Sequence, residues 1–489
     1  MKRTENTARW VWWIPALFTL VVCLWKLSGA SLWSDELATW LAADRSLSDL
    51  FAMLPHLDAV LGVYYVFMHF WIALFGDSEF SLRLPSALAM AAAAGLLAAL
   101  TRRIMNSASP DTPQIAARAG LAAGVLFGLT PTISRFGQEA RVYAVVVALA
   151  IAATYVLVVT LEKPTRWRWV GYGALIVGLG YAHLVGLTLL GAHAVALVLY
   201  WNRHGRPRAL LWGWILSAGI AVALTTPIMI LGAGQRQQVA WNPTPRLLAL
   251  TEFPNELYGL GVIAGAIVGL ALWAALTDRV GQWLPLLVAW AVIPPIALFL
   301  AARVVSLWNP RYVLFAAPAL IALGACALAQ LSWRKIAVAL SVVALLGLTH
   351  QIDLRRSDGH VDMDGRAVAK LIRENQRPGD VAIYSRNDVW GARASVAYYM
   401  GDDAPPDVLA DGTPADAKKF IPKECKKIAT CLDDAPRLWV VRWGRYAHDP
   451  LFWMDGHKAD LIYEHYNQVR IWEAKAMTVI LYEKKPSTS

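Results

Sequence analysis

The stretch Trp10-Val-Trp-Trp-Ile-Pro-Ala-Leu-Phe-Thr-Leu-Val-Val-Cys-Leu-Trp-Lys-Leu-Ser-Gly-Ala-Ser-Leu-Trp-Ser-Asp-Glu36 holds an apolar run followed at once by two adjacent acids, Asp35 and Glu36. The run is long enough to cross a bilayer, for which roughly 20 residues suffice. It is too long for a cleaved signal peptide and lacks a small-residue cleavage site, so it reads as a retained anchor. A carboxylate beside the hydrocarbon edge is costly, which makes the pair a functional-site candidate.

The rest of the chain carries the same signal. Of 489 residues, 57% are hydrophobic and 16% charged, against about 25% charged in an ordinary soluble protein. Mean hydropathy is +0.44. The apolar runs are confined to residues 1–350, with spans read near 10–28, 83–101, 117–133, 142–161, 169–183, 184–201, 209–227, 257–276, 283–302, 312–331 and 336–350. Residues 351–489 read as soluble sequence. The predicted architecture is therefore a polytopic α-helical membrane module of about eleven spans, 1–350, and a soluble domain, 351–489.

Basic clusters in alternate loops set the orientation. Lys2, Arg3 and Arg9, Arg102-Arg103 and Arg118, Lys163, Arg166 and Arg168, Arg203, Arg206 and Arg208, Arg279, and Arg334-Lys335 all fall on one side. That side is predicted to be the cytoplasm of a plasma-membrane protein, with the N-terminus inside. Asp35, Glu36 and residues 351–489 are then outside. The net charge of +10 belongs largely to this bias and does not indicate nucleic-acid binding.

The outer loops hold the chemistry. Residues 36–54 look like an interfacial amphipathic helix. The run 59–75 is apolar enough to span, but a span there would move every basic cluster outside. It reads as a second interfacial helix, with Tyr64, Tyr65, His69 and Trp71 at headgroup depth. The stretch Ser134-Arg-Phe-Gly-Gln-Glu-Ala-Arg-Val-Tyr143 places Glu139 and Arg141 on the same side, with His183, the 235–241 loop and Trp308-Asn-Pro-Arg-Tyr312. Each has a plainer reading. Asp35 could cap the following helix, Glu139 and Arg141 could pair together, and Arg303 and Arg311 could snorkel to headgroups. His183 could be an ordinary hydrogen-bonded interfacial histidine, and the tyrosines belt residues. Their sharing one face favours a site.

With these residues in hand, the chain resembles the GT-C glycosyltransferases. The acid pair after span one, the Tyr64-Tyr65 helix, Ser81-Leu-Arg-Leu-Pro-Ser86, Gln138-Glu-Ala-Arg-Val-Tyr143 and Asn309-Pro-Arg-Tyr312 are similar in order and spacing to the protein O-mannosyltransferases (glycosyltransferase family 39). The lipid A aminoarabinose transferases are similar too. The version here looks most like actinobacterial mannosyltransferase-like membrane proteins, with Asp58-Ala-Val-Leu-Gly-Val-Tyr-Tyr65 replacing the usual Pro-Pro-Leu-Tyr-Tyr. The resemblance covers most of residues 10–330.

The resemblance implies a polyprenyl-monophosphate sugar donor and an acceptor in the cell envelope: a glycan, lipid or protein. It implies Asp35 as general base with Glu36 as fallback, and Glu139 as a further catalytic acid. Arg311, Arg141 and Tyr312 would hold the donor phosphate, and His56, Asp58, Tyr64, Tyr65 and His183 the substrate. Two acids such as Asp35 and Glu139 could hold a divalent cation, Mg or Mn. The chain has no glycine-rich phosphate loop, as suits a lipid donor. Mannose, arabinofuranose and other sugars stay open. So do two other classes, a lipid or glycan transporter and an envelope-assembly scaffold.

In 351–489 the sequence predicts a small α/β domain, Rossmann-like but without a dinucleotide fingerprint. A helix is expected over 364–375, with strands over 381–384, 438–442 and 478–482. Cys425 and Cys431 lie close in sequence, and outside the cell they would form a disulfide. Cys23 and Cys326 fall in spans and read as packing residues.

Overall fold

The computed structural model describes residues 2–360, 363–385, 390–432, 435–446 and 448–486, with side chains from residue 10 onward. The side chains of Lys2, Arg3 and Arg9 lie outside that description. Every predicted apolar stretch is helical: Lys2–Leu24, Glu79–Ala108, Pro113–Leu129, Tyr143–Glu162, Arg166–Ala182, Leu189–Arg203, Arg208–Gly234, Gly261–Leu276, Leu284–Ala301, Ala317–Leu328 and Trp333–Asp353. Among the described residues, seven helical segments are long and apolar enough to cross a membrane, or nine if two bent pairs each count once. Eleven is thus more than length and composition support. The apolar part of the first helix, Trp10–Leu24, is short, and Arg166–Ala182 has 17 residues.

The bends have local causes. Pro113–Leu129 turns 67° into Pro131–Gly137 because Thr130 precedes a proline and is pushed to extended backbone,. Ala249–Tyr258 turns 98° into Gly261–Leu276 where Gly259 adopts φ +83, the left-handed residue that commonly ends a helix.

The chain parts into two compact units. One holds Met1–Trp25, Asp58–Tyr64 and Arg83–Gln351; the other holds Lys26–Leu57, Tyr65–Leu82 and Ile352–Ser489. A single cut at 350/351, the division that hydropathy gives, leaves out the grouping of the first outer loop with the C-terminal residues.

In the membrane unit, close packing depends on a stripe of small residues. A Cβ on Gly124 would stand 2.3 Å from the Pro15 Cβ, one on Gly120 2.7 Å from Val11 Cγ1, and one on Gly128 2.5 Å from Thr19 Oγ1. Gly120, Gly124 and Gly128 thus lie against Val11, Pro15 and Thr19, each set at four-residue spacing. Lipid gives helices no hydrophobic drive to associate, so such close approach supplies the packing. Gly124→Leu should force these helices apart, and overpacking of this kind costs roughly 1–3 kcal/mol. A melting temperature of the purified variant equal to wild type would refute the packing role.

Four neighbouring helices share one buried polar chain. Trp214 Nε1–H donates to Tyr172 Oη at 3.0 Å, and Tyr172 meets His193 Nδ1 at 2.9 Å. His193 Nε2 meets Thr154 Oγ1 at 3.0 Å, and Thr154 donates to Ala150 O at 2.8 Å. Because Thr154 gives its proton to the backbone, it accepts from Nε2–H. A neutral imidazole satisfies the whole chain.

The other unit contains strands β1 (Val381–Tyr384), β2 (Ala410–Asp411), β3 (Lys423–Glu424), β4 (Arg437–Trp443), β5 (Tyr466–Ala474) and β6 (Met477–Lys484). The main sheet runs β1-β4-β6-β5, parallel only between β1 and β4. One parallel pair makes it a mixed sheet and not the Rossmann-like one predicted. Its core is Ile383, Leu438, Val440, Ile480 and Tyr482 with Ile462 and Tyr466. The helix Gly365–Asn375 is capped by Asp364, which accepts from Ala367 N–H at 3.0 Å. Cys425 and Cys431 form a disulfide. In the outer loop, the single helix expected over 36–54 is two, Ser34–Ala43 and Leu47–Met53, because Ser46 caps the second by accepting from Asp49 N–H.

Candidate active site

The membrane unit gathers most of the predicted donor-side residues. Gln138 donates to Cys23 O at 2.8 Å and Trp25 O at 2.9 Å, satisfying carbonyls that the end of the first helix leaves unbonded. Ser86 Oγ donates to Arg141 O at 3.1 Å. These bonds fix the turn between Pro131–Gly137 and Tyr143–Glu162. Glu139 is fully buried and forms its ion pair with Arg135, one helical turn back, at 3.0 Å.

Arg311 enters from the other side. Asn309 caps Pro310–Ala316, its side chain accepting from Arg311 N–H at 3.4 Å. The Arg311 guanidinium carbon lies 5.6 Å from the Tyr143 ring centre, 5.8 Å from Tyr312 and 5.9 Å from Trp241. His183 stands 5.0 Å from Tyr312 and 6.0 Å from Tyr143. Cations held over aromatic faces keep their charge while shedding water. Tyr143 and Trp241 were not singled out from sequence, although both lie in the loops that were.

His183 lies just before the helical segment Leu184–Arg203. Burial first, then Arg141 and Arg311, lowers its pKa from the ordinary 6.5 to about 4. The imidazole is therefore neutral at physiological pH and able to donate or accept a hydrogen bond. The unfolded chain binds the extra proton between 6.5 and about 4, so this group makes stability rise with pH across that window and adds no dependence above it. Melting temperature should fall from pH 6.5 to pH 4 more steeply in wild type than in His183→Gln. Identical slopes would contradict the placement.

Asp58, also in this unit, has φ +53, a left-handed conformation that aspartate visits more readily than most residues. Gln238 accepts from its N–H at 3.1 Å, and Gln235 from Ala59 N–H at 2.8 Å. The 235–241 loop thus holds the turn that replaces the family's double proline. Tyr64 is buried.

The acid pair belongs to the other unit. Trp33, not Asp35, is the N-cap of Ser34–Ala43, and both acids sit in its first turn, where the helix dipole favours negative charge. Glu36 is fully buried, 3.9 Å from His360 Nδ1, whereas Asp35 is half-buried. The approach to the pair is clamped by Arg366. Its guanidinium grips Glu79 through two bonds of 2.9 and 2.6 Å and donates to the carbonyls of Ser28, Gly29 and Ala30. Ser31 Oγ reaches the carbonyls of Ser357 and Met363, and Leu32 N–H donates to Tyr399 Oη at 2.7 Å. These bonds explain why the outer loop and the C-terminal residues form one unit. Sequence gave no sign of the Arg366 clamp, whose partners lie more than 280 residues away.

Tyr65 is fully buried in this second unit, so Tyr64 and Tyr65 are both interior and not surface belt residues. His56 is exposed. Among the described residues, no three His, Cys, Asp or Glu side chains stand together as a metal site. Asp35 and Glu139 fall in different units, and Glu139 is already engaged by Arg135.

Comparison with known proteins agrees with this architecture. Residues 58–231 match the family described as dolichyl-phosphate-mannose-protein mannosyltransferase. The chain is similar in structure to ArnT from Cupriavidus metallidurans bound to undecaprenyl phosphate, at TM-score 0.60 and 14% identity, covering 96% of this chain and 97% of that one. The protein has the GT-C glycosyltransferase fold. ArnT from Cupriavidus metallidurans in the apo state matches equally, at TM-score 0.60, 15% identity and the same coverage. No curated protein sequence matches the chain.

Proposed function

We propose that this GT-C protein transfers a sugar, mannose, from a polyprenyl-monophosphate donor to a cell-envelope glycan, lipid or protein acceptor on the outer face of the plasma membrane. The observation that carries the reading is the cluster of Arg141, Arg311 and neutral His183 walled by Tyr143 and Tyr312. Both guanidiniums lie near enough to His183 to act on it, and the planar fork of arginine suits phosphate oxygens. The ArnT structure holding undecaprenyl phosphate and the family model naming a dolichyl-phosphate-mannose enzyme support the donor class.

In the proposed reaction the acceptor hydroxyl attacks the anomeric carbon. Asp35 takes the hydroxyl proton, and the bond from that carbon to the phosphate oxygen breaks. Negative charge grows on the phosphate, where Arg311 and Arg141 stabilise it. Glu36, buried against His360, positions Asp35. Glu139 holds Arg135 and shapes the turn that carries Arg141. The second reading is an arabinofuranosyl donor, which the sequence resemblance leaves open. Incubation of the reconstituted protein with polyprenyl-phosphate mannose, arabinofuranose and aminoarabinose separates them. Consumption of mannose alone supports the proposal, and consumption of a pentose alone replaces it.

The orientation is tested on whole cells. The Cys425–Cys431 disulfide supports an oxidising, outer location for the C-terminal domain. A single cysteine at the exposed position 402 of the C-terminal domain should react with an impermeant thiol reagent, and one at the exposed positions 163 or 206 should not. The reverse pattern would overturn both the topology and the outer-face reaction.

A further inference from the structure

A cavity of about 260 Å³ opens in the membrane unit, lined by Val11, Trp12, Ala99, Arg102, Arg103, Asn106 and Tyr155. It has no part in the chemistry proposed above. It lies near the end of Glu79–Ala108 that carries Arg102-Arg103. Here Arg103 also forms an ion pair with Glu162, at the corresponding end of Tyr143–Glu162. The Arg103 Nε is buried and, among the described residues, makes no hydrogen bond. Asn106 stands one turn beyond Arg102 and Arg103, so its amide joins the same wall.

The other wall is apolar and faces outward. Trp12 and Trp13 stack at 4.4 Å and are 39% and 56% exposed, on a helix whose neighbours are membrane spans. Indole rings of this kind settle at the boundary between headgroups and acyl chains. Two cations, an amide and a phenol in a cavity that Val11 and Trp12 also line match an anionic headgroup with acyl chain beside it. Basic pockets between spans on the Lys/Arg-rich side hold anionic headgroups in the same way. Glu162 occupies only one face of Arg103, and guanidinium offers five donors.

We propose that this cavity binds the headgroup phosphate of an anionic phospholipid in the leaflet at the Lys/Arg-rich ends of the helices. The full-length protein, purified in detergent, is titrated with dioleoyl-phosphatidylglycerol, with dioleoyl-phosphatidylcholine, and with soluble glycerol 3-phosphate, and retained lipid is counted by native mass spectrometry. One phosphatidylglycerol should be retained in preference to phosphatidylcholine. Arg102→Gln combined with Arg103→Gln should weaken retention at least tenfold, while Glu162→Gln, which frees Arg103, should keep or strengthen it. Arg102→Gln alone leaves the Arg103–Glu162 pair intact and should still weaken retention at least threefold. Undiminished retention in the arginine variants would overturn the proposal. Loss in Glu162→Gln equal to that in the double variant would reduce the arginines to a structural role. Displacement of the lipid by equimolar glycerol 3-phosphate would make the site one for free phosphate.

Discussion

Asp35→Asn should abolish most sugar transfer, lowering the rate by roughly 10²–10⁴-fold, the usual worth of a general base. Melting temperature should stay near wild type, because Asp35 is half-buried in the first turn of Ser34–Ala43 and is not its N-cap. Glu36→Gln is the informative partner. Glu36 is fully buried beside His360, so its loss should reduce both stability and rate by disturbing the loop. Rate loss in Asp35→Asn without loss of stability separates base from support. Near-normal turnover in Asp35→Asn with loss in Glu36→Gln would move the base to Glu36. Normal turnover in both would place the base elsewhere.

Arg311→Ala should lower turnover by about 10²–10³-fold, the typical effect of removing one group aimed at charge that develops in the transition state. The bond to phosphate gains negative charge as it breaks, so a fixed cation helps the transition state more than the bound donor. Arg311→Lys should restore only part of the activity. A lysine point charge lacks the planar fork and loses the stacking over Tyr143, Trp241 and Tyr312,. A snorkelling anchor would tolerate lysine almost fully, so full activity in Arg311→Lys would count against the phosphate role. Arg141→Ala should lower turnover too, because Arg141 lies beside His183 in the same cluster.

The membrane body was legible because a lipid solvent forces its backbone into helices, and apolar runs report that directly. What hydropathy could not report were the bends at Thr130 and Gly259, which come from single-residue backbone chemistry. The stripe Gly120, Gly124 and Gly128 is visible in the sequence, but its partners at Val11, Pro15 and Thr19 are not. Strands β1, β4 and β6 were found because they are buried runs. The edge strand β5 was missed because its pattern, Tyr-Asn-Gln-Val-Arg-Ile-Trp-Glu-Ala, is largely polar and exposed and carries a bulge.

At the site, loops named from sequence supplied Arg141, His183, Arg311 and Tyr312, and the structure sets these four in one unit. It left Tyr143 and Trp241 to be found by contact, since an aromatic in a membrane protein has many ordinary uses. Tyr64 and Tyr65 read as belt residues because an apolar helix beside a membrane shows no inward face in its sequence. The Arg366 clamp was invisible for a different reason. It joins Ser28, Gly29, Ala30 and Glu79 to a helix at the far end of the chain, and no local pattern encodes such a bond.

The central claim is transfer of a sugar from a polyprenyl phosphate. It is tested most directly by reconstituting the purified protein with radiolabelled polyprenyl-phosphomannose and extracted cell-envelope acceptors, beside Asp35→Asn. The predicted result is label moving into the acceptor fraction with matching release of polyprenyl phosphate, and neither in the variant. Intact donor in both samples, or equal transfer by wild type and Asp35→Asn, would contradict it.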